Sequence, residues 1–173
     1  MDFEEVVKKR QCVRSYLEKE VPEDLIQKIL ELANLSPSAG NLQARKVIVV
    51  KDLALRRKLK ATCNGFRRFL VEPPVIFVIC SVPEESATRF GSRGKDLYAL
   101  QDATIFACYL QLAVVSLGLS SCWVGSFDEK QVSEILKLPE NLVPVAMIPV
   151  GFSKEKPGEK SRKTIEEIIF KKI

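Results

Sequence analysis

The stretch ATIFACYLQLAVVSLGLSSCWVG, residues 103–125, holds no charged side chain, and how it is divided decides the fold. Its length alone would satisfy a membrane-spanning helix. Thr104, Gln111, Ser116, Ser120 and Ser121 interrupt the apolar run, Gly118 splits it, and no second span or flanking basic asymmetry accompanies it. It therefore reads as two elements of a folded core. One is a helix from Leu97 to Leu117, roughly 30 Å long at about 1.5 Å per residue; the other is a strand from Ser120 to Val124. Such a helix is apolar on nearly all sides and must lie in a core or a subunit interface.

Outward from this stretch, short apolar runs alternate with helical patterns. Upstream, Pro73-Pro74 breaks the chain before an apolar strand, Val75 to Cys80. Pro83 to Gly94 reads as a polar loop carrying Gly91 and Gly94, either a lid over a site or a plain solvated connection. Downstream, Asp128 is the expected N-cap of a helix with Val132, Ile135 and Leu136 on its apolar side, ending before Pro139. Val143 to Val150 reads as a strand whose Pro144 and Pro149 suggest an edge or irregular position. The tail from Ser153 to Lys163 is polar and basic, and then Ile165, Ile168, Ile169 and Phe170 form an apolar segment that needs a partner surface.

Toward the N-terminus, Asp2 and Glu5 are spaced as a capping box for a helix reaching Lys9 or Arg10. A second helix starts at Val21-Pro22-Glu23, with Leu25, Ile29, Leu32 and Ala33 on one face, and stops before Pro37. Ser36 to Asn41 is a loop by composition, Val47 to Val50 a short buried strand, and residues 53–71 one or two helices. The alternation indicates a layered α and β domain spanning residues 1–173.

Composition narrows the chemistry. At 173 residues with 46% hydrophobic and 28% charged side chains, the chain fits one globular domain. It has no histidine, which excludes Ser-His-Asp and Cys-His catalysis and any His-ligated metal or haem. The five cysteines, Cys12, Cys63, Cys80, Cys108 and Cys122, are odd in number and include no CxxC pair, so a reducing compartment is expected and no metal site is. The acidic, amphipathic start MDFEEVVKKR is unlike a secretory signal, which makes the cytoplasm the expected address. A net charge of +5 suits a phosphate-bearing ligand or nucleic acid. Dispersed basic groups without interleaved aromatics argue against nucleic acid.

Walker A, GxGxxG, HExxH and GxSxG motifs are absent. What remains is a set of cations near loops: Arg10, Arg14, Arg67, Lys160 and Arg162. Guanidiniums grip phosphate through paired hydrogen bonds and stabilise negative charge beside a heteroaromatic carbonyl. By spacing alone these residues are equally a solvated surface.

Four ordered blocks resemble the flavin-dependent nitroreductase family. Arg10-Gln11-Cys12-Val13-Arg14-Ser15-Tyr16 is similar to its Arg-x-Ser-x-Arg/Lys-x-aromatic segment, and Pro37-Ser38-Ala39-Gly40-Asn41-Leu42-Gln43 to its Pro-Ser-x-x-Asn-x-Gln loop. Leu117 to Gly125 resembles Leu-Gly-Leu-Gly-x-x-Trp-Ile-Gly, and Gly151-Phe152 with Lys160-Ser161-Arg162 its closing Gly-aromatic and Lys-x-Arg. The resemblance implies an α+β fold, a three-layer α/β/α sandwich with a mixed central sheet, in an intertwined homodimer binding FMN between subunits. It places Arg10, Lys160 and Arg162 on the phosphate, with Gln11 and Cys12 in the same segment. Arg14 and Arg67 would face the pyrimidine edge, with Asn64 nearby. Pro37, Ser38 and Ala39 would come from the opposite subunit, Asn41 and Gln43 would order their loop, and the backbone of Val124, Gly125 and Ser126 would supply an amide at flavin N5.

The implied activity is hydride transfer from NADH or NADPH to FMN and then electron transfer to a nitroaromatic, quinone or similar flat acceptor, in ping-pong order. The alternatives are other flavin chemistry on the same fold (dehalogenation, enoyl reduction, flavin fragmentation) or a non-catalytic flavin binder. The Pro83 to Gly94 loop and Tyr98 would meet substrate, and the long helix would form the dimer core. Two positions depart from the pattern: Cys12 stands for the usual Ser, and Ala44-Arg45 for Pro-Trp. Cys12 is either a redox-active thiol beside arginines or a packed side chain, and the other four cysteines read as packing residues. Trp123 is either a flavin neighbour or a core indole.

Overall fold

The computed structural model describes residues 1–63, 69, 71–156, 158 and 160–172. Helix α1, Phe3–Lys9, begins at the expected capping box: the Asp2 carboxylate accepts the Glu5 N–H at 2.9 Å and Glu5 accepts the Asp2 N–H at 3.3 Å. An extended segment leads to α2, Glu23–Asn34, which buries Ile26, Ile29 and Ala33. Strand β1, Arg45–Val50, precedes α3, Leu53–Ala61, and β2 spans Val75–Ser81. Then come α4, Pro83–Arg93, a π-helical turn at Gly94–Tyr98, and α5, Ala99–Ser116. Strand β3 is Ser120–Ser121, α6 is Glu129–Leu136, β4 is Val143–Gly151, and α7 is Ile165–Ile168.

The four strands form one sheet in the order β1-β2-β4-β3, every named pair antiparallel. Outside the named strands, the segment after α1 makes one isolated parallel bridge, Cys12 to Ser121. Alternation along β2 sorts the layers. Val75, Phe77 and Ile79 face the cluster containing Ile29 of α2 and Phe106 and Leu110 of α5. Ile76, Val78 and Cys80 face the cluster containing Leu59 of α3, Val132 of α6 and Tyr16. Each strand face is thus covered by helices, as the expected α/β/α sandwich requires. Each fully buried Ile, Val or Phe contributes about 1.5–3 kcal/mol of apolar burial.

The uncharged stretch divides as expected, to within two residues at the helix. The helix buries Ala103, Phe106, Ala107, Leu110, Ala113 and Val114 in the core, while Leu100, Thr104, Cys108 and Tyr109 are exposed. The continuous helical run Pro83–Ser116 is long and apolar enough to cross a membrane by length and composition, yet this packing makes α5 a core helix. The exposed thiol of Cys108 corrects its reading as a packing residue.

Three other expectations are corrected. Residues 83–93 form a helix rather than a loop: Pro83 starts it, Glu84 and Glu85 occupy its first turn, and Lys95 pairs with Glu84 at 2.6 Å. Its polar composition belongs to a solvated face, while Ser86 is buried against Gly94 and Gly91 turns to φ 57° inside the run. Strand β3 stops at Ser121, although Val124 regains pairing with Met147. Strand β4 is interior, so of the edge or irregular position suggested by its prolines only the irregular one is met. Pro149 is tolerated because its carbonyl, and hence its missing N–H, points toward β3, where the Cys122 N–H donates to that carbonyl at 3.3 Å. Pro144 lies opposite Cys80 at a register shift of β2.

Candidate functional site

The segment Arg10–Tyr16 is extended and clamped along its length. The Val13 N–H donates to the Ser121 carbonyl at 3.0 Å, and Tyr16 bridges Ser153. The Tyr16 ring is fully buried, and its hydroxyl lies 2.8 Å from the Val13 carbonyl and 3.2 Å from that of Pro149. From the other side, the Glu155 carboxylate accepts the Arg14 and Ser15 N–H groups at 2.7 and 3.2 Å, and the Lys154 N–H donates to the Ser15 carbonyl. Arg10, Gln11, Cys12 and Arg14 are therefore displayed together, each half-buried, on a backbone with little freedom. The Gln11 side-chain carbonyl is buried without a hydrogen-bond partner among the described residues and lines a cavity of about 340 Å³ with Val13, Ser120 and Glu155. An orphaned acceptor of this kind fits a ligand that brings a donor.

Cys12 touches the next edge of the site. Its thiol is pulled down to about 5 by a hydrogen bond with the Cys122 thiol, a backbone hydrogen bond from Trp123 and the Arg14 and Arg10 guanidiniums, against the opposing effect of burial. The same bond, together with burial and the Cys12 charge, pushes Cys122 far up. Nothing in the spacing of residues 12 and 122 signalled this pairing.

From Cys122 the chain runs directly into Val124, Gly125 and Ser126. Val124 exchanges two backbone hydrogen bonds with Met147, at 3.0 and 2.9 Å. Beyond it, the Ser126 carbonyl accepts the Cys63 thiol and the Asp128 N–H donates to Thr62 at 3.0 Å. Gly125 and Ser126 are exposed between these clamps. A Cβ at Gly125 would stand 3.1 Å from the Trp123 indole nitrogen, so the half-buried indole, which packs on the α2 and α5 side, backs a bare stretch of backbone. Gly125 also borders a cavity of about 390 Å³ with Lys95, Asp96, Leu100 and Phe127.

The loop 37–44 is built differently. Gly40, Asn41 and Gln43 all have positive φ, between 54° and 57°, which is a strained choice for Asn and Gln. The strain is held by hydrogen bonds: Ser38 Oγ accepts the Gln43 N–H at 3.0 Å, and the Gln43 amide donates to the Asn41 carbonyl at 3.3 Å. Asp102 of α5, 1% exposed, accepts the Ala39 and Ala44 N–H groups at 2.9 and 3.4 Å. Arg89 of α4 donates to the Gly40 carbonyl. Pro37, Ser38, Ala39 and Asn41 thus sit on a fixed loop, and among the described residues no hydrogen bond ties it to Arg10–Tyr16 of the same chain. Asp102 and Glu155 were missed in the sequence; the available signal for Asp102 was a carboxylate immediately before the uncharged run 103–125, inside the helix expected there.

Arg45, which stands where Trp is expected, is also buried. Its guanidinium lies 5.2 Å from the Phe106 ring, donates to the Asn34 and Ser36 carbonyls, and leaves Nη1 without a partner beside a cavity of about 560 Å³. Burial lowers its pKa, and Asp102 opposes that shift.

Lys160 and Arg162 are exposed on the tail that leaves from Glu155, and Arg162 donates to the Ser161 carbonyl at 2.9 Å. Asn64 and Arg67 lie outside the described residues. Tyr98 is engaged within its own helical region, accepting from Arg93 at 2.9 Å and meeting Phe90 edge-on.

A model of the Nitroreductase family matches residues 7–68 and 62–152. A Methanothermobacter thermautotrophicus protein provisionally described as an NADH dehydrogenase/NAD(P)H nitroreductase is 32% identical, over 91% of this chain and 81% of its own length. Among solved structures, a nitroreductase family protein from Clostridium difficile superposes with a TM-score of 0.87 at 28% identity and full coverage of both chains. An FMN-dependent nitroreductase from the same species superposes with a TM-score of 0.76 at 29% identity, covering 97% of this chain and 95% of its own.

Proposed function

The chain belongs to the nitroreductase family, and from that premise we propose that it is an NAD(P)H-dependent oxidoreductase that carries FMN and reduces nitroaromatics, quinones or similar flat acceptors. The observation that carries this reading is the pair Arg10 and Arg14, displayed on one clamped extended segment whose neighbour is the bare backbone at Gly125. A phosphate monoester carries roughly −1.5 to −2 charges, which several converging cations neutralise. Arg10, Lys160 and Arg162 are assigned to that phosphate, and the unpartnered Gln11 oxygen to a hydroxyl of the ligand chain.

FMN, when bound by these residues, would supply the redox chemistry by which reducing equivalents pass from NADH or NADPH to the acceptor in ping-pong order. Arg14 would set positive charge against the ring edge where negative charge gathers on reduction, a role that the family resemblance also gives to Arg67. Gly125 presents an amide and no side chain, so it would let a flat ring approach the backbone. Since the chain has no histidine, its own part is binding, orientation and electrostatics.

The site is completed by a second copy. Leu100 and Tyr109 on α5 are 47% and 40% exposed, and Ile165, Ile168 and Phe170 stand in water in a single chain. These surfaces pair in a homodimer that brings the partner's 37–41 loop over the flavin. The enzyme works in the cytoplasm, where its thiols stay reduced.

Steady-state oxidation of NADH and NADPH by the FMN-loaded protein tests this reading. Acceptor-dependent turnover with parallel double-reciprocal lines is expected for a quinone or nitroaromatic. Full FMN occupancy without nicotinamide oxidation under any acceptor would refute it.

A further inference from the structure

Cys12 and Cys122 are brought together by tertiary structure alone. The parallel bridge from Cys12 to Ser121 lays the two segments side by side, and Cys12 packs against the buried cluster that contains Cys122. Cys122 is one residue on from Ser121, so with strands about 4.7–4.9 Å apart and a rise of about 3.3 Å per residue its Cα stands about 6 Å from that of Cys12, within the roughly 4.4–6.8 Å that a disulfide spans. Cys12 is half-buried and reachable from solvent, whereas Cys122 is 1% exposed behind it. Arg10 and Arg14 flank Cys12 on its own segment, and Trp123 contributes a backbone hydrogen bond. Glu155 and Tyr16 are the other titratable groups facing this corner.

The other cysteines lack this arrangement. Burial pushes Cys80 up to about 12, Cys63 hydrogen-bonds to the Ser126 carbonyl, and Cys108 stands exposed on α5. Nucleophilicity requires the thiolate, accessible and electrostatically supported, and a clean two-electron oxidation requires a second thiol within reach.

We propose that Cys12 and Cys122 form a hydroperoxide-reactive dithiol, with Cys12 as the attacking thiolate and Cys122 as the resolving thiol. The Cys12 sulfur attacks the terminal oxygen of a hydroperoxide, the O–O bond breaks, and the departing alkoxide or hydroxide takes a proton from water. Cys12 is left as a sulfenic acid. The Cys122 sulfur then attacks the Cys12 sulfur, the S–O bond breaks, and the leaving hydroxide carries away the Cys122 proton as water. In sum, two thiols lose two electrons and two protons, and the hydroperoxide is reduced to an alcohol and water. The chemistry needs only the two sulfurs, their cationic neighbours and the peroxide.

The test is to treat the purified full-length protein with a small excess of hydrogen peroxide and to follow intact mass and a non-reducing peptide map. The expected result is loss of two hydrogens, a peptide pair joined through Cys12 and Cys122, and full reversal by dithiothreitol. The Cys122→Ser variant should stop at a Cys12 sulfenic acid captured by dimedone, and Cys12→Ser should lose the reaction. The map of the unsubstituted protein decides the matter even where a variant misfolds. An unreactive Cys12, its direct passage to sulfonic acid, or a bond to any other cysteine would overturn the proposal.

Discussion

Replacing Asp102 with Asn tests how the loop carrying Pro37 to Asn41 is held. The carboxylate, 1% exposed, accepts the Ala39 N–H at 2.9 Å and the Ala44 N–H at 3.4 Å, and it faces the buried guanidinium of Arg45. Asn keeps the shape and one acceptor oxygen but turns an NH₂ toward the other amide, so one donor loses its partner. That loss costs about 1–3 kcal/mol. Removing the negative charge opposite Arg45 raises the total to about 2–4 kcal/mol. For a chain of this length each kcal/mol lowers the midpoint by roughly 2–4 °C, so Tm should fall by roughly 4–16 °C. Urea unfolding should show a lower midpoint at unchanged m-value. Because the strained Asn41 and Gln43 lose their anchor, FMN affinity should weaken in parallel. A variant within about 0.5 kcal/mol of the parent would mean that Asp102 does not hold the loop.

Gly94→Ala would put a Cβ 2.4 Å from the Ser86 carbonyl oxygen, a backbone atom that cannot step aside without moving α4. The expected loss is about 3 kcal/mol or more by denaturant unfolding, and a neutral result would show that the π-helical turn relaxes freely. Tyr16→Phe removes a hydroxyl shared between the Val13 and Pro149 carbonyls and should destabilise by about 1–2 kcal/mol at neutral pH. Burial, with Cys122 and Cys12 nearby, holds the Tyr16 pKa well above its ordinary 10.0. The unfolded chain therefore releases a proton near pH 10 that the folded chain retains, and stability falls as pH climbs past that value. The gap between parent and Tyr16→Phe should narrow there; a constant gap would contradict it. Cys108→Glu places a charge on the exposed face of α5 without touching the single-chain core, so light scattering should show the mass of one chain and FMN should be lost. An unchanged dimer would move the interface elsewhere.

The layers were legible because helices alternate with strands along the chain, and the uncharged run at 103–125 had to be interior; which β2 side chains face which layer emerges only from the structure. Pro83 to Gly94 was misread because a polar face and two glycines look like a loop, when Pro83 and the Glu84–Lys95 pair support a helix. Pro149 suggested an edge, but proline needs only that its missing N–H face a place where no donor is required. At the site, local blocks were readable: Arg10 to Tyr16, Pro37 to Gln43, and the turn at Gly125. What escaped were groups acting across the fold. Asp102 reaches the loop from another element, Glu155 closes over Arg14, and Cys122 meets Cys12 only once the sheet has formed.

In the proposed function Arg10 and its neighbouring cations grip the phosphate of FMN. The most direct test is a comparison of FMN with riboflavin, which shares the ring and lacks that group, by fluorescence quenching on the apo-protein. Two or more charge-assisted hydrogen bonds, about 1.5–3 kcal/mol each, predict that FMN binds on the order of 100-fold tighter or more. Arg10→Ala should erase most of that preference while leaving the protein folded. Equal affinity for the two flavins, or an Arg10→Ala variant that keeps the full preference, would contradict the account.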